Sequence, residues 1–279
     1  MKWNLVADSA CDLLPGDITG NDISFSMSPL TVTAGGIDFV DVPETDVDAM
    51  LAAHKASKLA SVSTCPSPEM WAEKFREGDN TIAFTITGTL SGCYNSALVA
   101  RDIVLSEDPT KRIHVVNTRG TSGSLVLGLR RAVYLIENGL EFDNIVRELE
   151  TYMDGTCLLF SLGSFENLIR TGRMSRIAGV VAGSLGIRPV AKNNEHGEID
   201  VVGKPRGELA VIKFIVKTMG EYKKLEGRPV VVSHCKNEKG AQLLAAMIQD
   251  TFSPSEVTIL ETRILCSYYT QPGGLIIAF

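Results

Sequence analysis

The chain has 279 residues, 44% of them hydrophobic and 22% charged, with a net charge of -6 and a pI of about 5.3. Such a length exceeds the roughly 100–200 residues usual for one domain and favours two domains with a sizeable core. The acidic balance, with no long basic run, argues against nucleic acid and anionic membrane surfaces as partners, and no apolar run reaches the roughly 18 residues of a membrane-spanning helix.

The first eight residues lack the apolar core of a signal peptide and read as a strand, so a cytoplasmic location is expected. That strand leads into Asp8-Ser9 and Asp12. These carboxylates either cap the next helix or stand at a strand end where open α/β sheets gather ligand groups. Residues 23–32 read as one further strand. Gly35-Gly36 then predicts a hairpin, and the acidic stretch 41–48 reads as a loop and helix N-terminus, because carboxylates there complement the helix dipole. After a helix over 47–58, a short extended piece delivers Ser63 and Thr64 just before Ser67 and Pro68, a capping serine and a first-turn proline.

Residues 81–86 form an apolar run typical of a buried strand, and residues 96–105 have helical periodicity. Between them Thr87, Gly88, Thr89, Ser91 and Gly92 make a hydroxyl-rich turn. Free N–H groups at the following helix start, with the positive end of its dipole, favour a phosphate or a carboxylate; an ordinary polar connection is the alternative. Residues 117–123 repeat the arrangement of strand, hydroxyl-bearing loop and helix. The series predicts a parallel sheet whose strand-end loops converge on one crevice.

Helices over 125–138 and 142–153 bring the chain to a domain boundary near Gly155, giving domains 1–155 and 156–279. The second half opens with a strand over 156–162 and a helix over 164–170, then Arg170-Thr171-Gly172-Arg173. Gly172 would let the Arg173 guanidinium approach an anion closely, the alternative being a solvated surface arginine. A Gly/Ala/Val-rich helix over 177–185, a hairpin around His196, a long helix after Arg206, a strand ending at His234 and an apolar terminal strand complete the chain. His234 reads as a structural histidine or a proton donor.

The six cysteines show no Cys-x-x-Cys pairing and no histidine at metal spacing, so they read as reduced thiols, with no metal site. Gly88-Thr89-Leu90-Ser91-Gly92 lacks the Lys-Ser/Thr of a Walker A loop, and Thr89 replaces the first glycine of a Gly-x-Ser-x-Gly nucleophile elbow. Neither ATP binding by that route nor a Ser91–His234 acyl hydrolase is favoured.

The ordered set of Asp8-Ser9 with Asp12-Leu13, residues 63–67, Leu90-Ser91-Gly92 with Tyr94 and Ala97, Gly172-Arg173-Met174-Ser175, Arg188-Pro189, Lys204 with Arg206, and Pro272-Gly273 resembles the DegV family along essentially the full length. The resemblance implies two α/β domains, the N-terminal with a parallel sheet and the C-terminal with a mixed one, holding a long-chain fatty acid between them. It implies no cofactor and no catalytic residue of its own, and an ATP-binding kinase as the partner that makes an acyl phosphate. Carried over by position, Ser63, Thr64, Ser91, Gly92, Arg173, Arg206 and Tyr269 are the implied ligand-binding residues. Two departures stand out: Ser63-Thr64 reverses the usual Thr-Ser order, and Tyr269 stands where the family commonly has a histidine. A carrier or sensor of another small anionic metabolite is the alternative reading.

Overall fold

The computed structural model describes residues 2–174, 186–222 and 225–279. Its first sheet has the order β2-β1-β6-β7, with every pair parallel. The strands are β1 (Trp3–Asp8), β2 (Ile23–Ser28), β6 (Asn80–Thr85) and β7 (Arg112–Asn117). Alternation along the strands divides the sheet between two cores. Val6, Ala83 and Val115 pack with Trp71, Phe75 and Ala100, from α2 (Pro68–Phe75) and α3 (Cys93–Glu107). Leu5, Ala7, Ile82, Phe84 and Val116 face α4 (Gly123–Glu137) and α5 (Phe142–Asp154). A parallel sheet needs such covering on both faces, which explains why its strands read as continuous apolar runs.

The predicted strand over 23–32 is two strands. β2 ends at Ser28, Pro29 follows, and β3 (Thr31–Ala34) joins a separate antiparallel sheet of order β4-β3-β5, with β4 (Ile37–Val40) and β5 (Val62–Thr64). Proline has no N–H for a ladder, so the break falls where the chain changes sheets. The Gly35-Gly36 hairpin forms as expected, with both glycines at positive φ. Asp46 and Ser67 cap α1 (Val47–Ala56) and α2.

The second half builds a mixed sheet of order β10-β9-β8-β13-β11-β12. It comprises β8 (Leu158–Ser161), β9 (Val190–Asn193), β10 (Ile199–Gly203), β11 (Pro229–His234), β12 (Glu256–Glu261) and β13 (Leu275–Ala278); only β11 and β12 pair in parallel. One face packs on α7 (Glu208–Tyr222) and α8 (Glu238–Phe252) through Leu159, Val232 and Ile277. The opposite face, with Phe160, Val231, Ile276 and Ala278, shares a core with α4 of the first half. The start of α4 comes so near that a Cβ on Gly123 would lie 2.9 Å from the Cβ atoms of Ala278 and Val231. The remaining helices are α6 (Glu166–Arg170) and α9 (Ile264–Thr270). The helix expected over 177–185, with Ser175 and Arg176 before it, lies outside the described residues.

Helix α9 belongs to the second half in sequence but packs against Leu30, Val32 and Met50 of the first. Two carboxylates hold its start. Asp12 accepts from the N–H of Arg263 at 2.8 Å; Asp41 accepts from those of Ile264 and Leu265 at 3.3 and 3.2 Å and pairs with the Arg263 guanidinium at 3.3 Å. They supply the helix N-terminus with acceptors it cannot find locally. Asp41, read from sequence as part of an acidic loop and helix N-terminus, is buried because the dipole it complements belongs to α9 rather than α1.

Candidate functional site

A cavity lies between the parallel sheet's strand-end loops and the inner face of the mixed sheet. The loops after β6 and β7 supply Ile86, Thr87, Leu90, Ser91, Gly120 and Thr121. Along β8 the inward-facing Leu158 and Phe160, followed by Leu162, give it an apolar wall, completed by residues such as Leu168, Leu265 and Ile276. No histidine is among the described residues that line it.

Hydroxyls and guanidinium groups also line it, among them Ser63, Ser91, Arg173 and Tyr269. Ser63 Oγ and the Tyr269 hydroxyl lie 2.9 Å apart. Ser91 Oγ accepts from the N–H of Cys93 at 3.3 Å and donates to the Cys93 sulfur, bracketing the start of α3, where Gly92 offers no side-chain cap. Arg173 donates from Nε to the Leu90 carbonyl at 3.2 Å and from Nη1 to the Thr171 carbonyl at 3.1 Å, leaving Nη2 without a partner among the described residues. This set offers an anion two hydroxyls, a phenol, a guanidinium edge and a helix start.

Ser63, Ser91, Arg173 and Tyr269 therefore line the same cavity, Ser63 and Tyr269 in contact with each other. Thr64, Gly92 and Arg206 do not line the cavity and are exposed. Strand alternation turns Thr64 away once Ser63 faces inward. Arg206 forms an isolated backbone bridge with Ile187. His234 is also outside the lining; its Nδ1 accepts from the N–H of Asn237 at 3.3 Å, and burial holds its pKa below the ordinary value, as fits a structural residue. Cys11, Cys65, Cys93, Cys235 and Cys266 are free thiols, and no metal-binding cluster occurs among the described residues.

Asp8 and Asp12, singled out in the sequence as caps or strand-end groups, place the lining through partners the sequence did not indicate. Asp8 accepts from Ala10 N–H at 3.1 Å and, across the sheet, from Ile86 N–H at 2.8 Å, fixing the chain where it enters the hydroxyl-rich turn. The cap reading of Asp8 thus holds for a short 3-10 turn but covers only one of its oxygens. Asp12 accepts from the Ser122 hydroxyl at 2.5 Å, and Ser122 lies 2.7 Å from Ser233 Oγ on β11, joining the two halves. Burial pushes Asp8 and Asp12 each up to about 7, opposed by their hydrogen bonds; burial also raises Asp41.

These features define a two-domain α/β protein with a largely apolar cavity between its halves, lined in part by hydroxyls and guanidinium groups. A family model described as "Uncharacterised protein, DegV family" matches residues 2–279, and the chain belongs to that family. A DegV domain-containing protein of Streptococcus gordonii is 35% identical over the whole chain and 99% of its own length. Among solved structures, the Streptococcus pneumoniae fatty acid kinase (Fak) B3 protein loaded with linoleic acid matches with a TM-score of 0.96 and 35% identity, covering 100% of this chain and 99% of that one. A Eubacterium eligens DegV family protein loaded with heptadecanoic acid matches with a TM-score of 0.92 and 31% identity, covering 99% and 98%.

Proposed function

We propose that this protein binds a long-chain fatty acid in the cavity, with the carboxylate at Ser63, Ser91, Arg173 and Tyr269, and presents that carboxylate to a separate ATP-binding kinase for acyl phosphate formation. The chain itself is then a non-catalytic lipid carrier, divided into two domains near Gly155. The observation that carries this reading is a largely apolar cavity whose lining also holds Ser63, Ser91, Arg173 and Tyr269, with Ser63 and Tyr269 in contact. The fatty acids held by the pneumococcal and Eubacterium relatives support the ligand class, and the kinase to which the pneumococcal protein belongs supports the partner.

Burying about 14 to 16 methylenes contributes on the order of 10 kcal/mol before association costs, so the tail sets the affinity. Hydrogen bonds to the carboxylate, about 1.5–3 kcal/mol each, offset its desolvation and orient it. No strong base is needed for that task. Mass spectrometry of lipid extracted from the purified protein should find a long-chain fatty acid. Protein that carries none and takes up none after delipidation would sink the reading, and a short polar ligand in its place would favour the anionic-metabolite alternative. Acyl phosphate formation with a fatty acid kinase and ATP, dependent on this chain, tests the partner.

A further inference from the structure

Strand β8 gives the cavity a direction. Next to Leu162, at the end nearest Tyr269, Gly163 donates its N–H to the Thr270 carbonyl at 2.8 Å. At the other end, Leu158 donates its N–H to Asn193 Oδ1 at 2.8 Å. Four residues of extended strand separate Leu158 from Leu162, about 13 Å at roughly 3.3 Å per residue. Tyr269 precedes Thr270 at the Leu162 end of the strand, and Leu158 stands at its other end.

Arg119 and Asn193 meet at that opposite end. Asn193 Nδ2 donates to the Arg119 carbonyl at 3.1 Å, and the Arg119 guanidinium pairs with Asp154. Arg119 is held from below as well: its N–H donates to Asn117 Oδ1 at 3.2 Å, and the same oxygen accepts from the N–H of Gly88 at 3.2 Å. Both residues line the apolar cavity, and both also line a second, open and polar groove with Asp154, Lys192 and Tyr222. These two residues thus border both the apolar cavity and the open polar groove.

We propose that Arg119 and Asn193 form the end wall that sets the longest acyl chain this protein accepts. The inference rests on the fatty-acid reading above. Each methylene added to a chain that stops short of the wall gains about fourfold in affinity from burial. A longer chain must break the Arg119–Asp154 pair and the Asn193 hydrogen bonds, or fold back in a filled cavity, so the gain ends there. Removing the wall lets the chain continue along the seam into the groove.

The test is the affinity of delipidated protein for saturated fatty acids of about 12 to 22 carbons, read as the length at which the gain per methylene ends. Arg119→Ala and, separately, Asn193→Ala should move that length upward by about two to four carbons, while Ser91→Ala should weaken every acid without moving it. Arg119→Ala leaves the backbone carbonyl that Asn193 uses in place, so it serves even if Asn193→Ala loosens β8. An unmoved break point in folded Arg119→Ala protein that binds fatty acid overturns the wall and leaves the fatty-acid reading standing. A folded wild-type protein that binds no acid of any length overturns both.

Discussion

The Tyr269 hydroxyl lies 2.9 Å from Ser63 Oγ although 206 residues separate the two in the chain. The contact joins β5 of the first half to α9 of the second in the lining of the cavity. It is supported from behind, where the Tyr268 ring packs edge-on to that of Tyr269 with centroids 4.7 Å apart, and its hydroxyl donates to the Ser61 carbonyl at 2.9 Å.

Tyr269→Phe removes that hydroxyl while leaving the ring to pack. Fatty-acid affinity should fall by about 0.5–1.5 kcal/mol, up to roughly tenfold, with little change in thermal stability. Titration calorimetry beside a melting curve separates the two quantities. An equal loss in stability and affinity would mean that the bond holds the fold together and does not orient the ligand.

Ser91→Ala acts differently, because Ser91 Oγ also accepts from the first N–H of α3. Losing the hydroxyl removes one donor to the carboxylate and one acceptor from the helix start. Binding should weaken by about 1.5–3 kcal/mol. Stability should drop as well, by about 0.5–2 kcal/mol, the range for lost helix caps. Unchanged fatty-acid affinity in a folded variant would remove Ser91 from the proposed site.

What the sequence made legible was whatever acts over a few residues. Ser67 and Asp46 cap helices that begin at the very next position, and the apolar runs of β1, β6 and β7 announce a sheet covered on both faces. The passage of the chain from β2 to β3 escaped a reading by alternation because the residues on both sides of Pro29 alternate equally well. The helix served by Asp12 and Asp41 escaped for another reason: its start lies more than 220 residues further on, and nothing beside either residue signals it. Ser63 and Tyr269 received a ligand-binding role only through the family resemblance, which gave the same role to Thr64 and Arg206, residues that are exposed. A shared motif gives a position in the chain, whereas strand alternation decides which way a side chain points.

The buried carboxylates make stability depend on pH. Asp8 has a folded-state pKa of about 7 against an ordinary value of 3.8, so between those values the folded protein holds a proton that the unfolded chain has released. The stabilisation from burying the neutral acid is fully present below the unfolded pKa and is lost as pH rises through about 7. Asp12 adds a loss of the same sign over the same window. Denaturation midpoints should therefore decline from about pH 4 to pH 7 and level off above, by an amount worth a few kcal/mol. Asp8→Asn should flatten the decline, at the expense of one of the two N–H bonds that the carboxylate accepts. Identical pH slopes for wild type and variant would show that Asp8 does not carry the proton.

Gly197 offers the most direct test of how the hairpin between β9 and β10 closes over the cavity. Its carbonyl accepts from the hydroxyls of Thr87 at 3.1 Å and Thr89 at 2.8 Å, tying the second half to the turn that carries Ser91. Its φ of +78° lies in the left-handed region, and a Cβ would stand 2.2 Å from Thr87 Oγ1 and 3.2 Å from Arg119 Cα. Gly197→Ala must therefore push the hairpin away from both loops and break the two hydroxyl bonds. We expect a loss of about 1–3 kcal/mol in stability and faster release of bound fatty acid. Because the head-group residues are left in place, the association rate should fall less than the dissociation rate rises. Stopped-flow displacement of a fluorescent fatty acid resolves the two rates, and a variant that releases ligand no faster than wild type would show that the Thr87–Thr89–Gly197 contact does not hold the cavity shut.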